Sequence, residues 1–215
     1  SRLAYADRNF YVGDPDFLRV PTAELLDSKY LNRRSQQILF GNTIWKVTPG
    51  NLRLQSGMAA PLPQMESEST THLSIVDRDG NAVSFTSSVE DSFGARIMAG
   101  GFILNNQLTD FSFEPTRDGR PVANAVQPGK RPRSSMAPTM VLDRDGRLLY
   151  VLGSPGGSRI IAYVAKTLIG LLDWRLDPQA AIDLPNMANT GKETQVEAGT
   201  LLVNQATALE VLGHT

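Results

Sequence analysis

Between Gly41 and Ser69 the chain runs for 29 residues without a hydrophobic period, and this stretch limits the folds open to it more than any other feature. GNTIWKVTPGNLRLQSGMAAPLPQMESES is punctuated by Gly41, Gly50, Gly57, Pro49, Pro61 and Pro63. Compact domains join their elements through about 4–6 residues and seldom through more than about 15. So long a connection divides the chain into residues 1–69, ending in a mobile linker, and residues 70–215. The pattern changes sharply at Thr70. TTHLSIVDRDGNAVSFTSS (70–88) alternates around Asp79-Gly80 and predicts a β-hairpin. TMVLDRDGRLLYVLGS (139–154) repeats the device at Asp145-Gly146, although two DRDG turns are too short to establish a duplication. FILNNQL (102–108) predicts a third strand. PGGSRIIAYVAKTLIGLLDW (155–174) predicts a glycine turn and a helix, and DPQAAIDLP (177–185) a short second helix. Upstream, the GDPDF loop (13–17) precedes a helix that Ser28 can cap, with Tyr30, Leu31, Ile38 and Leu39 near one face. Hairpins followed by helices point to a layered α+β fold rather than alternating parallel β/α units.

Composition narrows the function classes. The chain has 215 residues, 41% hydrophobic and 20% charged, enough for a sizeable core and ordinary for a globular chain. Lys plus Arg number 21 against 22 Asp plus Glu, so the net charge of −1 leaves no electrostatic footprint for nucleic acid or an anionic membrane. The longest apolar run, around 160–172, is broken by Lys166, so no segment reads as membrane-spanning. The absence of cysteine removes thiol catalysis, disulfide frameworks and Cys-based zinc sites. His72 and His214 are the only histidines, so a Ser-His-Asp triad would have to use one of them. Neither a metal-ligand cluster nor a phosphate loop occurs, so no metal and no cofactor is expected. The chain opens on Ser1 and ends inside a helix-like stretch (208–215), which reads as a piece of a longer protein.

Four segments can carry chemistry. In GSPGGSRII (153–161), Gly156 and Gly157 fall where a strand gives way to a helix, and such N–H groups suit a phosphate or the oxyanion of acyl transfer. Taken alone, the segment is more often a plain turn. In KRPRSSM (130–136), the hydroxyls of Ser134 and Ser135 can hold a carboxylate, although a solvated loop is the commoner meaning. In NNQLTDF (105–111), Gln107 and Asp110 can bind an amino group or merely form a turn. Thr70-Thr71-His72 opens a strand directly after the linker. His72 lies on the same strand face as Thr70 and is an awkward base for its hydroxyl. Cleavage before Thr70 would free an α-amine of pKa about 7.7–8.0 on the same residue as the hydroxyl. Spacing alone still favours an ordinary Thr-rich strand start.

Taken in order, TTHLSIVDRDGNAVSFT, FGARIMAGGFILNNQLTDFS, KRPRSSMAPTMV and GSPGGSRII resemble the small subunit of the γ-glutamyltransferases, and LAYADRNFYVGDPDF (3–17) resembles the end of their large subunit. The resemblance implies an N-terminal-nucleophile hydrolase, a four-layer αββα sandwich with antiparallel sheets. It implies a precursor that cuts itself at Ser69–Thr70, with residues 1–69 as the tail of the large subunit and 70–215 as the catalytic small subunit, short at its C-terminus. Thr70 would be the nucleophile that takes a γ-glutamyl group from glutathione or a related amide. Gly156 and Gly157 would form the oxyanion hole, and Ser88 would orient the nucleophile. Ser134 and Ser135 would hold the substrate α-carboxylate, and Gln107 and Asp110 its α-amino group. Glu90 stands where well-studied members carry an Asn that contacts the glutamyl group; a carboxylate there repels an α-carboxylate and attracts an α-amine. Residues 113–126 are shorter than the lid loop of some bacterial members. The implied partners are a small γ-glutamyl substrate and the rest of the large subunit, joined as a heterodimer after processing. The family's carboxylate-clamping arginine lies outside these residues, so the 215-residue chain is expected to be inactive alone. The family's habits favour export over the cytoplasm. A cephalosporin (glutaryl) acylase and a non-processing, non-catalytic homologue are the alternatives.

Overall fold

A computed structural model describes residues 1–44, 46–52, 58–59, 69–191 and 193–215. In chain order the elements are α1 (Arg2–Tyr11), α2 (Thr22–Leu25), α3 (Ser28–Ser35), β1 (Ser69–Val76), β2 (Ala82–Glu90), β3 (Met98–Ala99), β4 (Phe102–Ile103), β5 (Thr116–Arg117) and β6 (Arg120–Pro121). There follow β7 (Thr139–Leu142), β8 (Leu148–Leu152), α4 (Ile160–Leu172), α5 (Pro178–Asp183), β9 (Met187–Ala188), β10 (Gln195–Val196) and α6 (Ala206–Val211). The architecture is α+β, with helices beside small antiparallel sheets, all two-stranded among the described residues. Two compact units divide the chain.

The first unit comprises residues 1–64, 108–133 and 188–215. Its centre is polar. Asp7, buried on α1, accepts from Arg34 Nε (3.0 Å) and the Tyr30 hydroxyl (2.8 Å) at Oδ2, and from Arg34 Nη2 (2.9 Å) and the Gly50 N–H (2.7 Å) at Oδ1. Arg34 Nη2 also donates to the carbonyls of Leu3 (3.1 Å) and Thr48 (3.0 Å). Burial, and then the hydrogen bond to Asp7, push the Tyr30 phenol above its usual pKa. No side chain fits at Gly50, where a Cβ would run into the Tyr30 hydroxyl. The described part of the aperiodic stretch is therefore anchored to the helices at Thr48 and Gly50; residues 45, 53–57 and 60–68 of the expected linker lie outside the described residues. Removing one member of a buried ion pair strands the other charge, which costs about 3–5 kcal/mol. Arg34→Ala is expected to lower unfolding stability by about that much, measured by urea titration. A loss below about 1 kcal/mol would show the network to be dispensable.

A second clamp in this unit joins distant sequence. The Asp14 carboxylate in GDPDF accepts from the Arg131 N–H (2.8 Å), Nε (3.1 Å) and Nη2 (2.7 Å), and these bonds hold its pKa well below the carboxylate range. Asn124, 1% exposed, donates to the Asp110 carbonyl (2.6 Å) and accepts from the Arg133 N–H (2.8 Å).

The second unit comprises residues 65–107 and 134–187. Both expected hairpins form, and in both the first Asp of DRDG organises the turn. The Asp77 Oδ1 accepts from the N–H groups of Asp79 and Asn81, and the Asp143 Oδ1 from those of Asp145 and Arg147. Gly80 (φ 86°) and Gly146 (φ 79°) supply the left-handed residue each turn needs. Ser84 joins the hairpins: its hydroxyl accepts from the Thr139 N–H (3.1 Å) and donates to the Leu152 carbonyl (3.0 Å). α4 packs on α5 through Gly170, where a Cβ would sit 3.0 Å from that of the fully buried Ala181.

Three expectations need correction, and one helix was not foreseen. The cap of α3 is Asp27, whose carboxylate accepts from the Tyr30 N–H (2.9 Å); Ser28 is the first helical residue, and Ile38 and Leu39 lie beyond the helix, exposed. α1, unanticipated, buries Tyr5, Asp7 and Tyr11. FILNNQL forms only the two-residue β4, because the Asn105 Oδ1 accepts from the Gln107 N–H (2.9 Å) and turns the chain into a 3-10 helix at Gln107–Asp110. The helix expected at 208–215 stops at Val211, where Gly213 (φ 87°) and the His214 N–H to the Leu209 carbonyl (3.0 Å) close it.

Candidate active site

A strand alternates its side chains between faces, so β1 sorts its residues by parity. Thr70 and His72 share one face with Ser88, Thr86 and Ser84 of β2, while Leu73, Ile75, Val83 and Phe85 form the exposed apolar face. The polar face carries the candidate chemistry.

The register shifts at the start of β1. Thr70 pairs with Ser88 but Ser69 pairs with Glu90, so Val89 is an extra residue in β2, a β-bulge. Glu90 adopts φ 75°, a left-handed conformation that a non-glycine residue holds only when its surroundings enforce it. The bulge turns the Ser88 hydroxyl into a junction. Its Oγ accepts from the Thr70 hydroxyl (3.3 Å) and the Glu90 N–H (2.9 Å), and it donates to the Ser69 carbonyl (3.1 Å). A hydroxyl thus lies one hydrogen bond from a second hydroxyl that polarises the carbonyl just before it.

His72 takes no part in this chain of bonds. Its Nδ1 pairs with Thr86 Oγ1 (2.8 Å) and its Nε2 with Ser74 Oγ (3.1 Å). Burial holds the imidazole pKa below its usual value. Gly153, at the end of β8, lies so close to this ring that a Cβ would clash with it. Three residues on, Gly156 adopts φ 131°, where a Cβ would also meet Tyr163, and the buried Gly157 opens the 3-10 turn into α4.

The other expected residues hold separate places. Ser134 is exposed and its hydroxyl accepts from the Met136 N–H (3.1 Å), whereas Ser135 is buried. Gln107 is half-buried at the head of its 3-10 turn. Asp110, in the first unit, is buried, and its carbonyl takes the Asn124 amide. Hydrogen bonds bring together Ser69, Thr70, Ser88 and Glu90. Asn106 was not singled out in the sequence, yet its amide Nδ2 donates to Glu90 Oε2 (2.6 Å) and its Oδ1 accepts from the Asp91 N–H (3.0 Å). The double Asn of NNQ was the available signal.

These features define an α+β protein whose site centres on a strand-opening hydroxyl. The chain belongs to the gamma-glutamyltranspeptidase family, which it matches over residues 1–215. It is 39% identical over 222 residues to the glutathione hydrolase proenzyme of Pseudomonas sp. (strain A14), covering 99% of this chain and 37% of that protein. It is 42% identical over 210 residues to the glutathione hydrolase proenzyme of Escherichia coli (strain K12), covering 92% of this chain and 34% of that protein. Among solved structures, cephalosporin acylase from Bacillus halodurans superimposes with a TM-score of 0.80 at 28% identity, covering all of this chain and 36% of that one. The chain therefore spans 34–37% of the length of these relatives.

Proposed function

We propose that these residues belong to a self-cleaving γ-glutamyl transferase/hydrolase acting on glutathione and related γ-glutamyl amides. The observation that carries the reading is the bond chain from Thr70 Oγ1 through Ser88 Oγ to the Ser69 carbonyl. Attack of Thr70 Oγ on that carbonyl moves the acyl group from nitrogen to oxygen, and the peptide nitrogen leaves with the hydroxyl proton. Water then hydrolyses the ester. The Ser69 carboxylate and the Thr70 amine are the products. The freed amine then serves as base for the same hydroxyl, which takes the γ-glutamyl group and passes it to water, an amino acid or a peptide. No cofactor is needed for these steps.

The remaining roles follow the family pattern. Gly156 and Gly157 would stabilise the oxyanion, Ser134 and Ser135 would hold the α-carboxylate, and Gln107, Asp110 and Glu90 would face the α-amine. The proposed architecture is the four-layer αββα sandwich, completed by the rest of the large subunit, with residues 1–69 and 70–215 on separate chains of the heterodimer. The likeness to a cephalosporin acylase supports a second reading, a glutaryl amide hydrolase.

The test is incubation of the complete precursor at neutral pH, followed by intact mass and by assay on γ-glutamyl- and glutaryl-p-nitroanilide. Expected are a new chain beginning at Thr70 and faster turnover of the γ-glutamyl compound. Preference for the glutaryl compound would establish the second reading. A precursor that stays uncut and inert would refute both and leave a non-catalytic homologue.

A further inference from the structure

The hydrogen-bond capacity of Ser88 is fully assigned, and the assignment depends on a residue outside the site. A hydroxyl has one proton and two lone pairs. The Glu90 N–H and the Thr70 hydroxyl occupy the lone pairs, so the proton of Ser88 is left pointing at the Ser69 carbonyl. If the Glu90 N–H moved away, that lone pair would be free and the hydroxyl could rotate, losing its aim at Ser69. The left-handed Glu90 must therefore be held in place against its own backbone preference.

Asn106 supplies the hold. It lies 16 residues from Glu90 in sequence and bonds three consecutive residues of the bulge. Its backbone N–H donates to the Val89 carbonyl (3.2 Å), its Nδ2 to Glu90 Oε2 (2.6 Å), and its Oδ1 accepts from the Asp91 N–H (3.0 Å). The amide orientation is not interchangeable, since a backbone N–H can meet only the Oδ1 and a carboxylate is best met by the Nδ2. The Asn105 carbonyl oxygen of the side chain, bonded to the Gln107 N–H (2.9 Å), fixes the backbone on either side of Asn106.

We propose that Asn106 is a positioning residue for cleavage at Ser69–Thr70, locking the bulge that aims the Ser88 proton at the scissile carbonyl. The inference rests on the self-cleavage reading above, and it assigns Asn106 to a step that precedes any substrate. Glu90 gains a corresponding role as the side chain by which the bulge is gripped, separate from any contact with the acyl group.

The test follows the rate at which the chain beginning at Thr70 appears, by intact mass, in the complete precursor and three variants. Asn106→Ala removes both side-chain bonds and is expected to slow cleavage on the order of 100-fold. Asn106→Asp keeps the acceptor for the Asp91 N–H but sets a carboxylate against Glu90, and is expected to be at least as slow. The Glu90→Gln/Asn106→Asp double variant exchanges donor and acceptor and is expected to recover cleavage to within about tenfold of the parent, a rescue that bulk or fold alone would not give. Melting curves confirm that the variants compared are folded; if Asn106→Ala does not fold, the exchanged pair decides. Parent-like cleavage by Asn106→Ala, or a double variant no faster than Asn106→Asp, would overturn the inference and leave the proposed function standing. A parent that never cleaves overturns both.

Discussion

Thr70→Ala is expected to leave the precursor as a single chain and to abolish amide hydrolysis, a loss on the order of 10⁴-fold or more in each step. The two losses have one cause. In the proposed mechanism, the hydroxyl that attacks the Ser69 carbonyl in the precursor is the hydroxyl that attacks the substrate amide afterwards. Thr70 is half-buried at a strand end, and its hydroxyl makes one bond, at 3.3 Å to Ser88. Its removal should therefore shift unfolding by less than about 1 kcal/mol, which separates lost chemistry from lost fold. Thr70→Ser keeps the hydroxyl but gives up the β-branch that restricts χ1, so the attacking rotamer is less populated. It is expected to cleave, more slowly than the parent. Intact mass over several days measures all three proteins; a chain starting at position 70 in the Thr70→Ala protein would end the nucleophile assignment.

What could be read in the sequence follows how local the causes are. Both DRDG hairpins were legible because Asp77 and Asp143 satisfy N–H groups two and four residues away. α4 was legible because its apolar run needs a helix to bury Ile160, Val164 and Leu171 together. α1 was not, since the residues it buries include Asp7, which is tolerated there because Arg34 and Tyr30 meet it from α3. The FILNNQL strand failed for the opposite reason: its apolar residues are exposed, and an Asn side chain turns the chain before a ladder can extend. In the site, Thr70 and Ser88 stood out through the family motif, and their pairing across the hairpin is visible in the register. The bulge at Val89 was hidden, because a one-residue register shift leaves no mark in either strand's own pattern. Asn106 was hidden with it, as was the Asp14–Arg131 clamp across 117 residues.

Ser88→Ala is expected to slow cleavage about 10²–10³-fold, the effect of removing one preorganised donor from a developing oxyanion. The substitution does two things at once. It withdraws the proton from the Ser69 carbonyl, and it leaves the Glu90 N–H without the oxygen that receives it at 2.9 Å. An unsatisfied N–H in a left-handed bulge costs about 1–3 kcal/mol, so unfolding stability should fall by that amount while cleavage falls further. Ser88→Thr retains the hydroxyl and should restore most of both. The combination with Asn106→Ala is the informative one. If Asn106 acts by aiming the Ser88 proton, then once Ser88 is alanine there is nothing left to aim, and Asn106→Ala should add little to the cleavage defect. Independent roles would instead multiply the two defects. Cleavage rates of the parent, both single variants and the double variant, taken under one condition, give the coupling directly. A double variant as slow as the product of the singles would detach Asn106 from the Ser88 hydroxyl and place its effect elsewhere in the bulge.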